Sequence, residues 1–388
     1  MVTMQTAENA LKSFYLDAVS DALNTKVNPF LAKIKKTSEN VVGKDVRKLV
    51  KYGVNGGIGA GSETGDLPKA NGNKYVQFVS TLKNLYGTIE ISDKAVRAAA
   101  NNEGAFVNLL NDEMQGLINS SKFNFGRMLY GNGMGKLSGV TDAFGSVLAM
   151  ENVQNIVEGM IVDFYTSEGE KIEAAAGRTI LAVNRNDASV TISGEDVSEQ
   201  LMGSIMCLQG SYNNEITGLE KIFSGEGELY GVDVESNPWL KPQIVDGVGN
   251  ISENIIQRAI DTIEEVAGSK VNMIVCSWGV RRALANYCMK NKASLPTMEI
   301  EGGYTALSFC GIPVVADRFC PLGTMYLLNT DDFKLHQLCD WQWLEGEDGK
   351  VLKQVPGKPV YTATLVKYAE LMCERPNGQG VLKGIIEA

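Results

Sequence analysis

Nineteen consecutive residues, Asn55-Gly-Gly-Ile-Gly-Ala-Gly-Ser-Glu-Thr-Gly-Asp-Leu-Pro-Lys-Ala-Asn-Gly-Asn73, carry no apolar period, yet strand-like runs flank them on both sides. Val46 to Val54 alternates apolar and polar residues, the period of a half-exposed strand. Lys74 to Ile91 leads back in the same manner. The result is a long hairpin arm with hardly any side chains from which to build a core. Two strands alone are marginal in water. Such an arm must lie on something else, and a second copy of the chain is the obvious candidate.

A rod follows the arm. Phe106, Leu110, Met114, Leu117, Phe125 and Met128 recur at spacings of three, four or eight, which predicts one apolar stripe on a helix from Glu103 to Tyr130. At 1.5 Å per residue the rod is roughly 40 Å long, about the width of a small domain. Gly131-Asn-Gly133 ends it. A projecting hairpin before a long rod suits a subunit that tiles.

The chain of 388 residues is too long for one core, so two or three lobes are expected. No apolar run approaches the roughly 20 residues that span a bilayer, and no signal peptide is visible, so no membrane partner is expected. Seven scattered cysteines fit reduced core thiols better than a disulfide framework. Charge is uneven. Residues 1–51 carry nine Lys/Arg against five Asp/Glu, whereas residues 151–236 carry four against sixteen. A swing of this size implies that the two regions face different partners.

In chain order, residues 5–25 read as an amphipathic helix that Asn28-Pro29 breaks. Gly131 to Phe144 reads as a glycine-rich connector. From Glu151 to Val234 short strands are expected at Met160–Tyr165, Thr179–Val183, Ser189–Ile192 and Ser204–Gln209. They make a small, acidic, mostly β module inserted into a parent domain. Asn237-Pro-Trp-Leu-Lys-Pro242 is a rigid re-entry segment. A helix over Ile251–Ala267 is expected, with Asn250 and Glu253 as a capping box and Gly268 as the stop. Val271–Cys276 reads as a buried strand, and Ser277 caps a helix running to Lys290. Leu344 to Pro359 is a polar loop, and Tyr361 to Cys373 closes the chain as a strand.

Chemistry is scarce. The one histidine, His336, lies on an apolar strand, where a structural role is the commoner one. With Cys339 it lacks a second pair of ligands for zinc. No metal or cofactor is therefore expected, and no catalytic residue is assigned. Gly57-Ile-Gly-Ala-Gly61 does not meet the dinucleotide pattern. Gly131-Asn-Gly-Met-Gly-Lys136 follows a helix and has Leu137 where a phosphate loop needs Ser or Thr. Flexible connectors explain both runs better. Lys69 and Lys74 flank the arm tip. The plain reading is solvated lysine, and the sharper one is cross-linking to a neighbour's Asn or Asp. Lys33, Lys35, Lys36, Arg47 and Lys48 form a basic stretch with no aromatic interleaving. Contact with acidic protein surface, or loose proximity to packaged DNA, fits them better than sequence reading.

The C-terminal third carries a resemblance. Glu301-Gly-Gly-Tyr-Thr-Ala-Leu-Ser-Phe-Cys-Gly-Ile-Pro-Val-Val-Ala-Asp-Arg318, Gly323-Thr-Met-Tyr-Leu-Leu-Asn-Thr-Asp-Asp-Phe-Lys-Leu-His336 and the closing Tyr361-to-Gly384 run resemble stretches of tailed-phage major capsid proteins. The arm, the rod and Asn237-Pro-Trp-Leu-Lys-Pro242 fall in the order that family shows. The resemblance implies an α+β chain of the HK97-like capsid fold. Residues 1–42 would be the N-terminal arm, 43–92 the E-loop hairpin, and 93–150 the P-domain with its spine helix. Residues 151–236 would be the inserted module, 237–343 mainly the A-domain, and 344–388 the P-domain loop and C-terminal strands. Gly56, Gly57, Lys69 and Lys74 at the E-loop tip, and Glu345, Glu347 and Lys350 in the P-domain loop, would touch neighbouring subunits. Implied partners are further copies in pentamers and hexamers of a closed shell, a separate scaffolding protein, a portal protein and a decoration protein. The implied location is the virion capsid, assembled in the host bacterial cytoplasm. An encapsulin-type shell housing cargo enzymes shares the fold. A soluble enzyme would need a polar constellation that the sequence does not show.

Overall fold

A computed structural model of the protein describes residues 28–94, 103–290, 297–300, 304–346, 349 and 351–388, which form a mixed α+β architecture. The helix expected over residues 5–25 lies outside them, as do Glu347 and Lys350. Of residues 103–112 only the backbone is described.

The closing strand, Val360–Cys373, is the axis of a five-stranded sheet. Phe333–Trp343 pairs antiparallel on one side of it. Lys83–Ser92 pairs on the other, from Ser92 opposite Val360 to Lys83 opposite Ala369. Lys35–Thr37 adds a short parallel strand beyond Phe333–Trp343. The helix Glu103–Met128 packs on this sheet through Met114, Ile118 and Phe125. Of the predicted stripe, Met114, Phe125 and Met128 are buried and Leu117 lies half-buried against the same core. Gly87 gives Leu117 its place, since a Cβ there would sit 2.8 Å from the Leu117 Cδ1.

The arm corrects the expectation of one long returning strand. Asp45–Tyr52 pairs with Lys74–Thr81 along its whole length, but the chain then breaks at Leu82. Leu82 is buried and its N–H donates to the Lys44 carbonyl. Lys83–Ser92 belongs to the five-stranded sheet instead. The break turns one polar-apolar run into two strands of different sheets, with the arm on one side and the body on the other.

The acidic module is a closed six-stranded barrel, ordered Ser189–Ile192, Val147–Met150, Lys136–Phe144, Ile205–Leu208, Ile161–Tyr165 and Arg178–Asn184, with the last strand closing onto the first. Leu148, Val162, Phe164, Ile180, Val190 and Met206 fill it. Four strands match the expected ones to within a residue or so at each end. The other two, Lys136–Phe144 and Val147–Met150, occupy the stretch read as the end of a connector and its continuation. Leu137, Ser138, Gly139 and Val140 are all buried, so this strand shows no alternation that would have marked it.

The chain returns from the barrel to the place where it left. Leu219 and Glu220 N–H groups donate to the Leu129 and Tyr130 carbonyls at 2.8 and 3.3 Å. On the way back the Thr217 N–H donates to the buried Glu370 Oε1 at 2.7 Å. Glu370 Oε2 has no partner among the described residues. Burial pushes the Glu370 carboxyl up from 4.5 to about 7, against the smaller lowering effect of the Thr217 bond. The fold thus holds the proton more tightly than the unfolded chain does. That stabilisation is complete below about pH 4.5 and is lost as the pH rises through about 7. Glu370→Gln is expected to match the wild type near pH 4.5 and to exceed it by about 3 kcal/mol above pH 8. Urea unfolding at both pH values measures this, and an equal effect at the two would contradict it.

The remaining lobe is a seven-stranded mixed sheet whose centre is Met325–Leu328, Met273–Cys276 and Ile312–Ala316. Helices Glu253–Ala267 and Trp278–Lys290 cover it through Ile256, Ile263, Val280 and Leu284. Gly268 stops the first helix in the left-handed conformation, as expected, but its cap is Ser252 rather than Asn250. Ser277 caps the second, accepting from the Val280 N–H at 3.4 Å.

Candidate functional site: the projecting arm

Two aromatic contacts clamp the root of the arm. Tyr52 stacks on Trp239 with ring centroids 4.5 Å apart and planes 7° from parallel. Phe78, fully buried, meets Tyr230 at 5.5 Å, and the Val79 N–H donates to the Tyr230 carbonyl at 2.9 Å. Sequence reasoning missed both anchors. Trp239 was visible only as part of a rigid segment, and its partner lies far away in the chain.

Beyond the root nearly every residue of the arm is exposed among the described residues. Val54, Ile58 and Leu67 are 79%, 83% and 90% exposed. A single apolar side chain on a surface is ordinary, but three on one coreless projection are not. The glycines keep the two limbs close. A Cβ on Gly57 would lie 3.2 Å from the Asn71 nitrogen, one on Gly56 would lie 2.9 Å from Asn71 Nδ2, and one on Gly59 would lie 3.2 Å from Pro68 Cγ. None of the three has a positive φ. Close approach, rather than backbone freedom, is thus what glycine supplies here. Lys69 and Lys74 are exposed at the sides of this loop.

The basic residues are less free than the sequence implies. Lys36 pairs with Asp340 at 2.8 Å, and Lys48 pairs with Glu374 at 3.1 Å, beside Lys334 at 2.7 Å. Arg47 lies 3.4 Å from Asp45. Asp340 also holds the buried Lys367 at 2.6 Å. Burial alone would raise the Asp340 carboxyl, but Lys367 and Lys36 outweigh it and hold it at about 2. Lys33 and Lys35 lie on the exposed side of the same segment. Lys36 and Lys48 therefore fasten the segment after Asn28 and the arm to the body. Glu345 is exposed at the start of the polar loop.

His336 is fully buried, and its Nδ1 lies 2.9 Å from the Glu39 carbonyl. Burial lowers its pKa, so the ring is neutral at physiological pH. A cleft of about 840 Å³ opens between the long helix, the strand Lys83–Ser92 and the barrel. Its two ionisable carboxylates are already engaged. Glu158 accepts from the Val183 N–H, and Glu215 is held by Arg127. Among the described residues no group of three or more His, Cys, Asp or Glu could hold a metal ion.

No protein-family model matches the sequence, and no curated protein matches it. Its structure is similar to the capsid subunit of cyanophage A-1(L), with a TM-score of 0.57 and 12% identity over 93% of each chain. Weaker likenesses are to Mycobacterium phage Adephagia, with a TM-score of 0.49, 9% identity and coverage of 94% and 92%. The SrpI encapsulin of Synechococcus elongatus PCC 7942 gives 0.47 and 10%, with coverage of 92% and 88%. A body that anchors a coreless arm, a long helix on a sheet, and agreement along nearly the whole of both chains lead to one statement: this chain has the fold of a phage capsid subunit, the HK97-like fold.

Proposed function

We propose that the protein is a structural major capsid subunit, assembling through pentamers and hexamers into the icosahedral shell that encloses phage double-stranded DNA. The observation that carries this reading is the arm, anchored at its root by aromatic stacking and bearing Val54, Ile58 and Leu67 on no core of its own. A neighbour supplies the missing surface. In a closed shell each subunit makes such contacts many times over, and avidity turns modest interfaces into a stable particle. No reacting group is needed. In this reading Glu103–Met128 is the spine helix of the P-domain and the seven-stranded lobe is mainly the A-domain. The loop holding Glu345, Glu347 and Lys350 is where P-domains meet. A separate scaffolding protein, a portal protein and a decoration protein are the partners that follow. The virion capsid is the location, with assembly in the host cytoplasm.

Sedimentation of the purified chain with its scaffold supplied, and negative-stain imaging of the fast fraction, tests the reading. Closed particles or free pentamers and hexamers are expected. A chain that stays monomeric under those conditions refutes it. Nucleic acid inside native particles separates a virion from an encapsulin-type compartment holding enzymes.

The barrel strands and their connections, residues 136–208, carry eleven Asp/Glu against four Lys/Arg, which suits an outward face that keeps particles apart. Replacing the exposed Glu168, Glu170 and Glu195 by Lys is expected to leave assembly intact and to cause clumping. Light scattering of purified particles reads this, and unchanged dispersity would count against an outward barrel.

A further inference from the structure

Among the described residues the strand Lys83–Ser92 pairs only with the closing strand, and its other edge opens on the cleft between the long helix and the barrel. Which backbone groups face outward follows from the ladder. The Asp93 N–H donates to the Pro359 carbonyl at 2.9 Å, one step beyond the pairing of Ser92 with Val360. Bonded and non-bonded pairs alternate along antiparallel strands. Leu85, Gly87, Ile89 and Ile91 therefore turn their N–H and C=O groups to the closing strand, and Asn84, Tyr86, Thr88 and Glu90 turn theirs away from it. Asn84 and Tyr86 line the cleft. Two further polar groups of its lining are buried without a partner among the described residues, Asn124 Oδ1 on the long helix and the Nε1–H of Trp341, a residue 6% exposed. Buried polar atoms in folded proteins nearly always find partners.

We propose that this cleft takes an extended, non-acidic segment of a second protein, added as a strand along the free edge. Its volume of about 840 Å³ is that of a ligand site. Strand addition draws affinity from the main chain and specificity from pockets for alternate side chains. Asn84 and Tyr86 supply the main-chain groups, and Leu117, Val157 and Met160, all half-buried, supply an apolar wall for one large side chain. Asn124 and Trp341 offer an acceptor and a donor to the segment's polar atoms. The lining holds Glu158 and Glu215 but no Lys, Arg or His, so it offers an acidic segment no counter-charge. A second copy of the chain is a poor occupant. Its projecting segment, the arm tip, presents two limbs side by side and carries Glu63 and Asp66.

Binding of this kind needs no shell, so the unassembled full-length subunit serves as the target. A random heptapeptide display library is selected on it, and the strongest enriched sequence, made as a capped synthetic peptide, becomes the probe. Enriched sequences free of Asp and Glu, with one large apolar residue, are expected. Methylating the probe's backbone nitrogens one at a time should abolish binding at alternate residues and spare it at those between, because only alternate N–H groups face the strand. Trp341→Phe removes a donor that no described residue uses and should weaken the probe about ten-fold, the scale of one hydrogen bond. Tyr86→Pro removes an outward N–H while leaving the ladder to the closing strand in place, and should abolish binding. Circular dichroism of both variants should match the wild type. No enrichment, a methylation series without alternation, or a probe indifferent to both variants would overturn the site. Competition by a synthetic peptide of residues 53–73 would point to another copy as the occupant and equally overturn it.

Discussion

A chain lacking residues 56–71 is expected to fold and to stop short of a shell. The tip contributes no residue to any of the three buried clusters, so its loss removes little from the subunit. The root stays clamped through Tyr52 and Phe78, whose aromatic partners both lie in the body. Thermal unfolding of the monomer should therefore move by no more than a degree or two, as for other surface changes. On the proposed reading assembly is another matter, because each missing tip is lost once per subunit in every capsomere. Sedimentation should show the fast fraction gone altogether. Intact particles from this deletion would remove the basis for a tiling arm.

Arg127→Met is expected to be the most destabilising single substitution inside the subunit, by about 3–5 kcal/mol. Arg127 stands in the last turn of the long helix and is 5% exposed, while Glu215, on the way back from the barrel, is 2% exposed. Its Nη1 donates to Glu215 Oε2 at 3.0 Å, with a second, shorter bond from Nη2 to Oε1. Removing the guanidinium strands a carboxylate in a dry place. The pair itself has much less net worth, because both charges were taken out of water to form it. The double variant Arg127→Met with Glu215→Leu should accordingly recover most of the loss in urea unfolding. A double variant as unstable as the single one would show that the pair stabilises through direct attraction.

Much of the frame could be read from residue order. The rod announces itself through the spacing of Met114, Leu117, Phe125 and Met128, and the helix stop at Gly268 follows from local chemistry alone. The strand Val360–Cys373 is also plain from composition. Three features were hidden, each for a physical reason. Lys136–Phe144 is buried on successive residues at the heart of its length, so the two-residue period is absent and its glycines dominate the reading. The break at Leu82 is a single residue inside a continuous strand-like run. The pairing of Lys36 with Asp340 joins positions 304 apart in the chain, and nothing local in a basic stretch reveals a distant carboxylate. The arm tip is recognisable as coreless, whereas the close approach its glycines permit is not, because a sequence does not show how near the opposite limb lies.

The bond from Leu219 to the Leu129 carbonyl, with Gly218 pressed against Met128 and Gly131, has a wider meaning. A Cβ at Gly218 would come within 2.4 Å of both the Met128 and Gly131 carbonyl oxygens, so the outgoing and incoming chains touch. Everything between them leaves and re-enters the body at one place, and Gln154 Nε2 adds bonds to the Arg318 and Cys320 carbonyls beside it. Because the barrel has a hydrophobic core of its own, it can grow, shrink or be exchanged without redrawing the path of the remaining chain. On the proposed reading, with many copies tiling a shell and the barrel outward, a change in that barrel is written over the whole surface at once. A lineage carrying such a plan can renew its outer face while the lattice beneath keeps its geometry.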